Sequence, residues 1–186
     1  MIRKIIPHIF FIIILSSFLN SNHLFANWDS ARDGDRIILI RHSKAPGSGD
    51  PQGFKIDDCK TQRNLSQEGI NQSKKIGKLF KKNKIKIDLV LSSQWCRCKD
   101  TAKYAFEKYE EFSALNSTFQ SPYDKNAKKQ HKELKNFIQN WKGNGRNLIL
   151  VTHYVIISAL TDVAPRSGEI VIIDKNFNVL STILTF

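Results

Sequence analysis

Two arginines and two histidines stand at the ends of apolar segments, where their side chains could do chemistry. Arg41 and His42 follow the run I-I-L-I, His153 follows L-I-L-V-T, and Arg97 lies shortly after D-L-V-L-S-S. Two guanidinium groups make a planar, permanently charged fork for oxyanions. A neutral histidine beside a phosphoryl group can act as its nucleophile. The four side chains would therefore suit phosphoryl transfer if the fold brings them together.

The two arginines would favour this chemistry in more than one way. Their charge disfavours protonation of a neighbouring histidine, which must be neutral in order to attack. The same charge stabilises the negative oxygens of a phosphoryl group during transfer. The helix expected after Ser93 would add backbone N–H groups and the positive end of a helix dipole at its start.

Paired histidines could instead bind a metal, or they could simply cap strand ends by hydrogen bonds. Arg41 and Arg97 would repel a divalent metal, and no carboxylate stands at either strand end that carries a histidine. Any one of the four side chains could serve as a cap, but all four together do not fit that role. The sequence therefore predicts a phosphate pocket with no metal and no other cofactor.

The elements that must position these residues alternate between strand and helix. Apolar runs predict strands, and helical spacing of apolar residues predicts the segments between them. The predicted strands are Arg36–Ile40, Ile87–Leu91, Asn147–Thr152, Glu169–Ile173 and Val179–Leu184, the last two forming a hairpin, with helices near 66–82, 95–109, 127–141 and 155–160. This order predicts an α/β fold, a three-layer α/β/α sandwich with a mostly parallel central sheet. Ligands bind at the carboxyl ends of such strands.

The first 26 residues have the layout of a secretory signal peptide. A short positive start precedes a mostly apolar stretch, and a more polar run ends at Ala26. A single membrane anchor is the alternative, but the unbroken run Ile9–Leu15 is short for a span of about 20 residues. We expect a signal peptide at 1–26, one domain at 27–186 with no membrane span, and a secreted or periplasmic location.

The chain is strongly basic, with 29 Lys and Arg against 17 Asp and Glu. The net charge of +12 becomes +10 when the two charges of the first 26 residues are removed. Such a charge suits an anionic partner, although much of it is lysine that could simply solvate predicted helices. No basic motif with interleaved aromatics and no zinc-finger spacing is present, so nucleic acid is not expected. The expected partner is a small phosphorylated or anionic substrate; the sequence indicates no oligomeric state.

Four motifs in chain order resemble those of the histidine phosphatase superfamily, the phosphoglycerate-mutase-like group. They read L-I-R-H-S, then R-N-L-S-Q-E-G, then L-S-S-Q-W-C-R-C-K-D-T-A, then V-T-H-Y. The resemblance spans about Arg36 to Thr161, which is nearly all of the expected mature chain. Each motif also falls in the strand and helix context that the family has.

The resemblance implies a role for each of the four residues. His42 would be the nucleophile and become phosphohistidine. Arg41 and Arg97 would bind the phosphoryl oxygens, and His153 would stabilise the group in transfer. The family's motif glycines are replaced here by a serine after His42 and a tyrosine after His153.

Many family members also carry a carboxylate after the second helix, which protonates the leaving oxygen. Glu110, Glu111 and Asp124 stand in this region, but none lies in a matching motif. Relatives such as phosphohistidine phosphatases act on good leaving groups and manage without a dedicated acid.

The three cysteines, Cys59, Cys96 and Cys98, would allow one disulfide in an oxidising compartment. In the family pattern the residue after the second arginine is small and packs against the sheet, which suits Cys98 as a buried thiol. The residue before that arginine lies nearer the surface. The resemblance thus implies a disulfide between Cys59 and Cys96, and three unpaired thiols are the alternative.

The expected function is that of an exported, metal-independent phosphatase that acts through a phosphohistidine at His42. The alternative is a catalytically weak phosphate-binding protein of the same fold, since no general acid stands in a matching motif. An intracellular mutase fits less well, because the chain is short and starts with a signal-like segment.

Overall fold

A computed structural model describes residues 27–186, and the expected signal peptide lies outside the described residues. The strands are β1 Ile37–Arg41, β2 Ile87–Ser92, β3 Glu110–Glu111, β4 Asn147–Thr152, β5 Ile170–Ile173 and β6 Val179–Ile183. The helices are α1 Asp29–Arg32, α2 Gln67–Lys82, α3 Cys96–Phe106, α4 Ala127–Asn140 and α5 Tyr154–Thr161. Short 3₁₀ turns occupy Cys59–Thr61, Ser113–Leu115 and Tyr123–Asn126.

The six strands form one sheet in the order β3-β2-β4-β1-β5-β6. Strands β1, β4, β2 and β3 are parallel, while β5 and β6 form an antiparallel hairpin beside β1. In the register of this sheet Arg41 pairs with Thr152, and Ser92 pairs with Val151. The ends of β1, β4 and β2 therefore lie side by side, and the predicted α/β class with a mostly parallel sheet is confirmed.

Helices cover both faces of the sheet, which gives the three predicted layers. Successive strand residues point to opposite faces, so Ile38 and Ile40 pack with α2 and α3 while Ile37 and Leu39 pack with α4 and α5. All four side chains are fully buried. Within residues 27–186, no helix is both long enough and apolar enough to cross a membrane.

The structure differs from the sequence-based expectation beyond the middle of α3. The helix ends at Phe106 rather than near Tyr109, because Glu107 has a positive φ of 69° that cannot continue an α-helix. The two-residue strand β3 follows at once and pairs with the end of β2. A strand of this length is too short to show an alternation in the sequence.

A disulfide joins Cys59 to Cys96, and Cys98 is a buried free thiol. The two bridged Cα atoms are 5.7 Å apart, and the residues are 37 positions apart in the chain. The bridge ties the long loop after β1 to the first residue of α3. This is the pairing that the resemblance implied, but Cys96 does not lie nearer the surface as expected, because only 1% of it is exposed.

Replacing both bridged residues, as Cys59→Ser with Cys96→Ser, should lower the free energy of unfolding by about 3–4 kcal/mol. The reason is that the bridge restricts the unfolded chain by closing a long loop. Urea unfolding of the oxidised proteins measures the change. Reductant should bring the wild type to the stability of the double variant and leave the variant unchanged; a double variant as stable as the oxidised wild type would contradict the expectation.

Candidate active site

A cavity of about 170 Å³ opens at the edge of the sheet where β1, β2 and β4 end. Its walls come from the loop after β1 and from the segment after β3. The predicted residues Arg41, His42, Arg97 and His153 all line the cavity, together with Gly47, Ser48, Gly49, Asp50, Arg63, Ser117, Phe119, Gln120, Tyr154 and Val155. The structure thus brings together all four side chains that the sequence singled out.

His42 follows the last residue of β1 and is buried, with 2% of its surface exposed. Its Nδ1 lies 2.8 Å from the carbonyl oxygen of Ser43. A carbonyl oxygen can only accept, so the neutral ring carries its proton on Nδ1 and keeps the lone pair on Nε2. Burial is the largest cause that holds the pKa of His42 well below its ordinary 6.5, and the charge of Arg97 is the next. The free Nε2 atom is therefore suited to nucleophilic attack at neutral pH.

His153 caps the start of α5 and faces His42, with ring centroids 5.5 Å apart. Its Nε2 lies 2.8 Å from the hydroxyl oxygen of Ser93, which holds the ring in place. Burial and the charge of Arg97 also keep the pKa of His153 well below 6.5. The site therefore holds two neutral imidazoles beside permanent cations.

The two predicted arginines each have a buried donor without a partner. The Nε atoms of Arg41 and Arg97 find no hydrogen-bond partner anywhere in the part of the chain from 27 to 186. Arg41 donates from Nη1 to the carbonyl oxygen of Pro165 at 2.9 Å, and its guanidinium lies 5.6 Å from the ring centroid of Tyr154. Buried charged donors without acceptors are costly. An oxyanion in the cavity would supply the acceptors that these two nitrogens lack.

Reasoning from the sequence missed two further charged residues of the site, Asp50 and Arg63. Arg63 donates from Nε to the carbonyl oxygen of Gly49 at 2.6 Å and from Nη1 to that of Ala45. It opens the motif R-N-L-S-Q-E-G, which was the available signal. Asp50 lies in the irregular loop after β1, where no spacing or motif marks it.

The expectation that backbone N–H groups of α3 bind the phosphate is wrong for the residues on either side of Arg97. The N–H of Cys96 donates to the side-chain oxygen of Gln62 at 3.0 Å, and the N–H of Cys98 donates to the carbonyl oxygen of Trp95 at 2.9 Å. These groups are consumed within the protein. These two N–H groups are therefore not available to an anion in the cavity.

None of the three carboxylates considered as a general acid lines the cavity. Glu110 and Glu111 form the exposed strand β3, and Asp124 is exposed on a 3₁₀ turn. Glu111 instead pairs with Lys99, with a distance of 3.1 Å between their charged atoms. Asp50 is the carboxylate that the cavity does contain.

The two replacements of family glycines have different surroundings. Ser43 is buried, and its hydroxyl accepts a hydrogen bond from Ser73 at 2.8 Å, away from the cavity lining. Tyr154 lines the cavity and is 42% exposed. Of the two, only Tyr154 shapes the mouth of the pocket.

Among the described residues there is no group of three or more His, Cys, Asp or Glu side chains that could hold a metal.

The profile of the family described as the histidine phosphatase superfamily (branch 1) matches residues 37–115 of the chain. The matched part includes Arg41, His42 and Arg97 and ends before His153. The match confirms the resemblance to the histidine phosphatase superfamily that the motifs indicate. No curated protein matches the sequence.

Solved structures share the fold of this chain. The protein histidine phosphatase SixA, complexed with tungstate, is 14% identical, with a TM-score of 0.52 over 80% of this chain and 94% of that one. A putative phosphohistidine phosphatase SixA from Agrobacterium tumefaciens is 16% identical, with a TM-score of 0.56 over 81% and 98%. TTHB049 from Thermus thermophilus is 16% identical, with a TM-score of 0.57 over 80% and 98%. At these identities the likeness establishes the fold.

The free energy of unfolding should fall as the pH is lowered from about 7 to 5. Unfolded histidines bind protons near pH 6.5, whereas His42 and His153 stay neutral in the folded protein, so acid stabilises the unfolded state. Each buried histidine should contribute roughly 1–2 kcal/mol of this loss at pH 5. Urea unfolding across this pH range measures it.

The variants His42→Gln and His153→Gln should each flatten the pH dependence, because glutamine does not titrate. His131→Gln serves as the control, since His131 lies on the surface helix α4 and is only partly buried. It should have a smaller effect. A wild-type slope that neither buried substitution changes would contradict the expectation.

Proposed function

We propose that the protein is a phosphatase that transfers a phosphoryl group to Nε2 of His42 and then to water. The observation that carries this proposal is the position of a neutral His42, with Nε2 free, in the cavity lined by two guanidinium groups with unpartnered Nε atoms. Arg41 and Arg97 would bind the phosphoryl oxygens and stabilise their charge during transfer.

In the first step the Nε2 lone pair of His42 attacks phosphorus, and the bond from phosphorus to the leaving group breaks. In the second step a water oxygen attacks the phosphorus of the phosphohistidine, the P–N bond electrons return to Nε2, and one of the two protons of the water leaves to solvent. The neutral ring is thereby restored. His153, held by Ser93, would contact the group in transfer. No step requires a cofactor.

The cavity favours substrates whose leaving group departs without a proton from the protein. Burial raises the pKa of Asp50, but the hydrogen bond and charge of Arg97 outweigh this and keep it below its ordinary 3.8. Asp50 is therefore ionised at neutral pH and a poor proton donor. Leaving groups of low basicity, as in phosphoramidates, acyl phosphates and aryl phosphates, suit such a site. A small phosphorylated molecule of this kind is the substrate that we infer.

We also infer that the protein is exported to a secreted or periplasmic location. The signal-like pattern of the first 26 residues supports this. A disulfide is typical of an oxidising compartment and agrees with it. Export would separate the protein from the cytosolic phosphorelay proteins that a phosphohistidine phosphatase would otherwise serve.

A phosphate-binding protein with little turnover is the second candidate. The observation that favours it is the lack of a protonated carboxyl group among the residues that line the cavity. The binder and the enzyme differ in whether a covalent phosphohistidine forms.

Brief incubation with radiolabelled acetyl phosphate, followed by denaturation, should leave label on the wild type that is stable in base and labile in acid. Labelling should proceed in the presence of a chelator. His42→Ala should take up no label because the nucleophile is lost, while His131→Ala should be labelled normally. An unlabelled wild type that still binds phosphate would favour the binding protein, and label on His42→Ala would place the nucleophile elsewhere.

Arg97→Ala should lower kcat/KM for a model aryl phosphate by about ten- to a hundredfold, the usual value of a charge-assisted hydrogen bond. Lys103→Ala removes an equal charge from the exposed side of the same helix and should change kcat/KM by less than about twofold. Steady-state kinetics at fixed ionic strength make the comparison. Equal losses in the two variants would show that overall positive charge, rather than a placed guanidinium, binds the phosphate.

A further inference from the structure

Asp50 is a buried carboxylate whose two oxygens are both occupied. Its side chain is 3% exposed. Oδ1 accepts from Arg97 Nη1 at 2.8 Å and from the backbone N–H of Arg63 at 3.0 Å. Oδ2 accepts from Trp95 Nε1 at 2.9 Å and lies 3.1 Å from the same Nη1 of Arg97. A carboxylate held by this many donors is stabilised in its charged form, so it serves as an acceptor and not as an acid.

The contacts of Arg97 divide its guanidinium group into two sides. Asp50 accepts a hydrogen bond from Nη1, whereas Nε is buried and has no hydrogen-bond partner among residues 27–186. A guanidinium presents donors in a rigid planar fork. Holding Nη1 therefore fixes the direction of the Nε–H bond as well. Asp50 and an oxyanion can bind to Arg97 at the same time, on different sides of the group.

The loop that carries Asp50 is fastened to three consecutive residues at the start of α3. Asp50 accepts hydrogen bonds from the side chains of Trp95 and Arg97. Cys96, which lies between these two residues, forms the disulfide and donates its backbone N–H to Gln62. The opposite wall is also attached, because the backbone N–H of Asp50 donates to Gln120 Oε1 at 2.9 Å. The position of the carboxylate is thus set by the loop as a whole.

We propose that Asp50 is the positioning residue for Arg97: it holds the guanidinium so that Nε–H points to an oxyanion beside Nε2 of His42. This inference rests on the proposed function only in requiring that the cavity bind phosphate. The negative charge of Asp50 also repels an oxyanion, and the two effects oppose each other. Positioning is the larger effect, because the charge of Asp50 is already balanced by Arg97 and its oxygens also accept hydrogen bonds from two neutral donors.

The test measures the binding of inorganic phosphate by titration calorimetry, so it requires no turnover. Asp50→Asn removes the negative charge and replaces one accepting oxygen by an NH₂ group, which cannot accept a hydrogen bond. The contact with Arg97 is thereby weakened with little change in the size of the side chain. The dissociation constant should rise about tenfold in the wild-type background, the value of a lost charge-assisted contact. In an Arg97→Ala background the same substitution should change it by less than about twofold.

Asp50→Glu should recover part of the lost affinity, because it restores a carboxylate. Should Asp50→Asn not fold, Trp95→Phe removes only one donor to Asp50, and it should weaken binding by about two- to threefold in the wild-type background alone. Equal effects with and without Arg97, or tighter phosphate binding by Asp50→Asn, would overturn the proposal. These outcomes would leave the proposed function standing. A wild type that does not bind phosphate would instead overturn the proposed function together with this inference.

Discussion

The buried charge of Arg97 is the feature on which the rest of the site depends. Only 3% of this residue is exposed, and a buried guanidinium is tolerated only with a partner because desolvating an unpaired charge is costly. Asp50 supplies that partner, and it does so because the loop after β1 folds back over the end of the sheet. The fastening of this loop to α3 therefore contributes to the candidate active site as well as to the stability of the fold.

The sheet explains why the other reactive groups meet Arg97. Residues of β1 and β4 are buried on both faces of the sheet, so polar side chains can first appear where these strands end. The parallel register places Arg41 at the end of β1 beside Thr152 at the end of β4, and the residue that follows each of them is a histidine. Their burial keeps both imidazoles neutral. Strand pairing, which the apolar side chains drive, therefore also sets the chemistry.

This origin in strand ends is the reason why so much of the site could be predicted from the sequence. An apolar run followed by Arg41 and His42 is a local pattern, and the rule that parallel strands bind ligands at their carboxyl ends gives the convergence. Asp50 and Gln62 could not be predicted in this way, because they act through the path of an irregular loop. Gln62 of this loop also accepts the hydrogen bond from the N–H of Cys96, so that group of the helix N-terminus is not available to the phosphate.

The charges that line the cavity indicate which kind of anion it suits. Arg41, Arg63 and Arg97 contribute three positive charges and Asp50 contributes one negative charge, which leaves +2. Burial and the charge of Arg97 lower the pKa of Arg41 and Arg63, yet a guanidinium keeps its proton in proteins, so loss of a proton does not relieve the repulsion. The neutral histidines do not change the sum. A phosphoryl dianion would neutralise the two remaining charges, whereas a carboxylate would neutralise only one, so the charge balance supports the phosphorylated substrate that we propose.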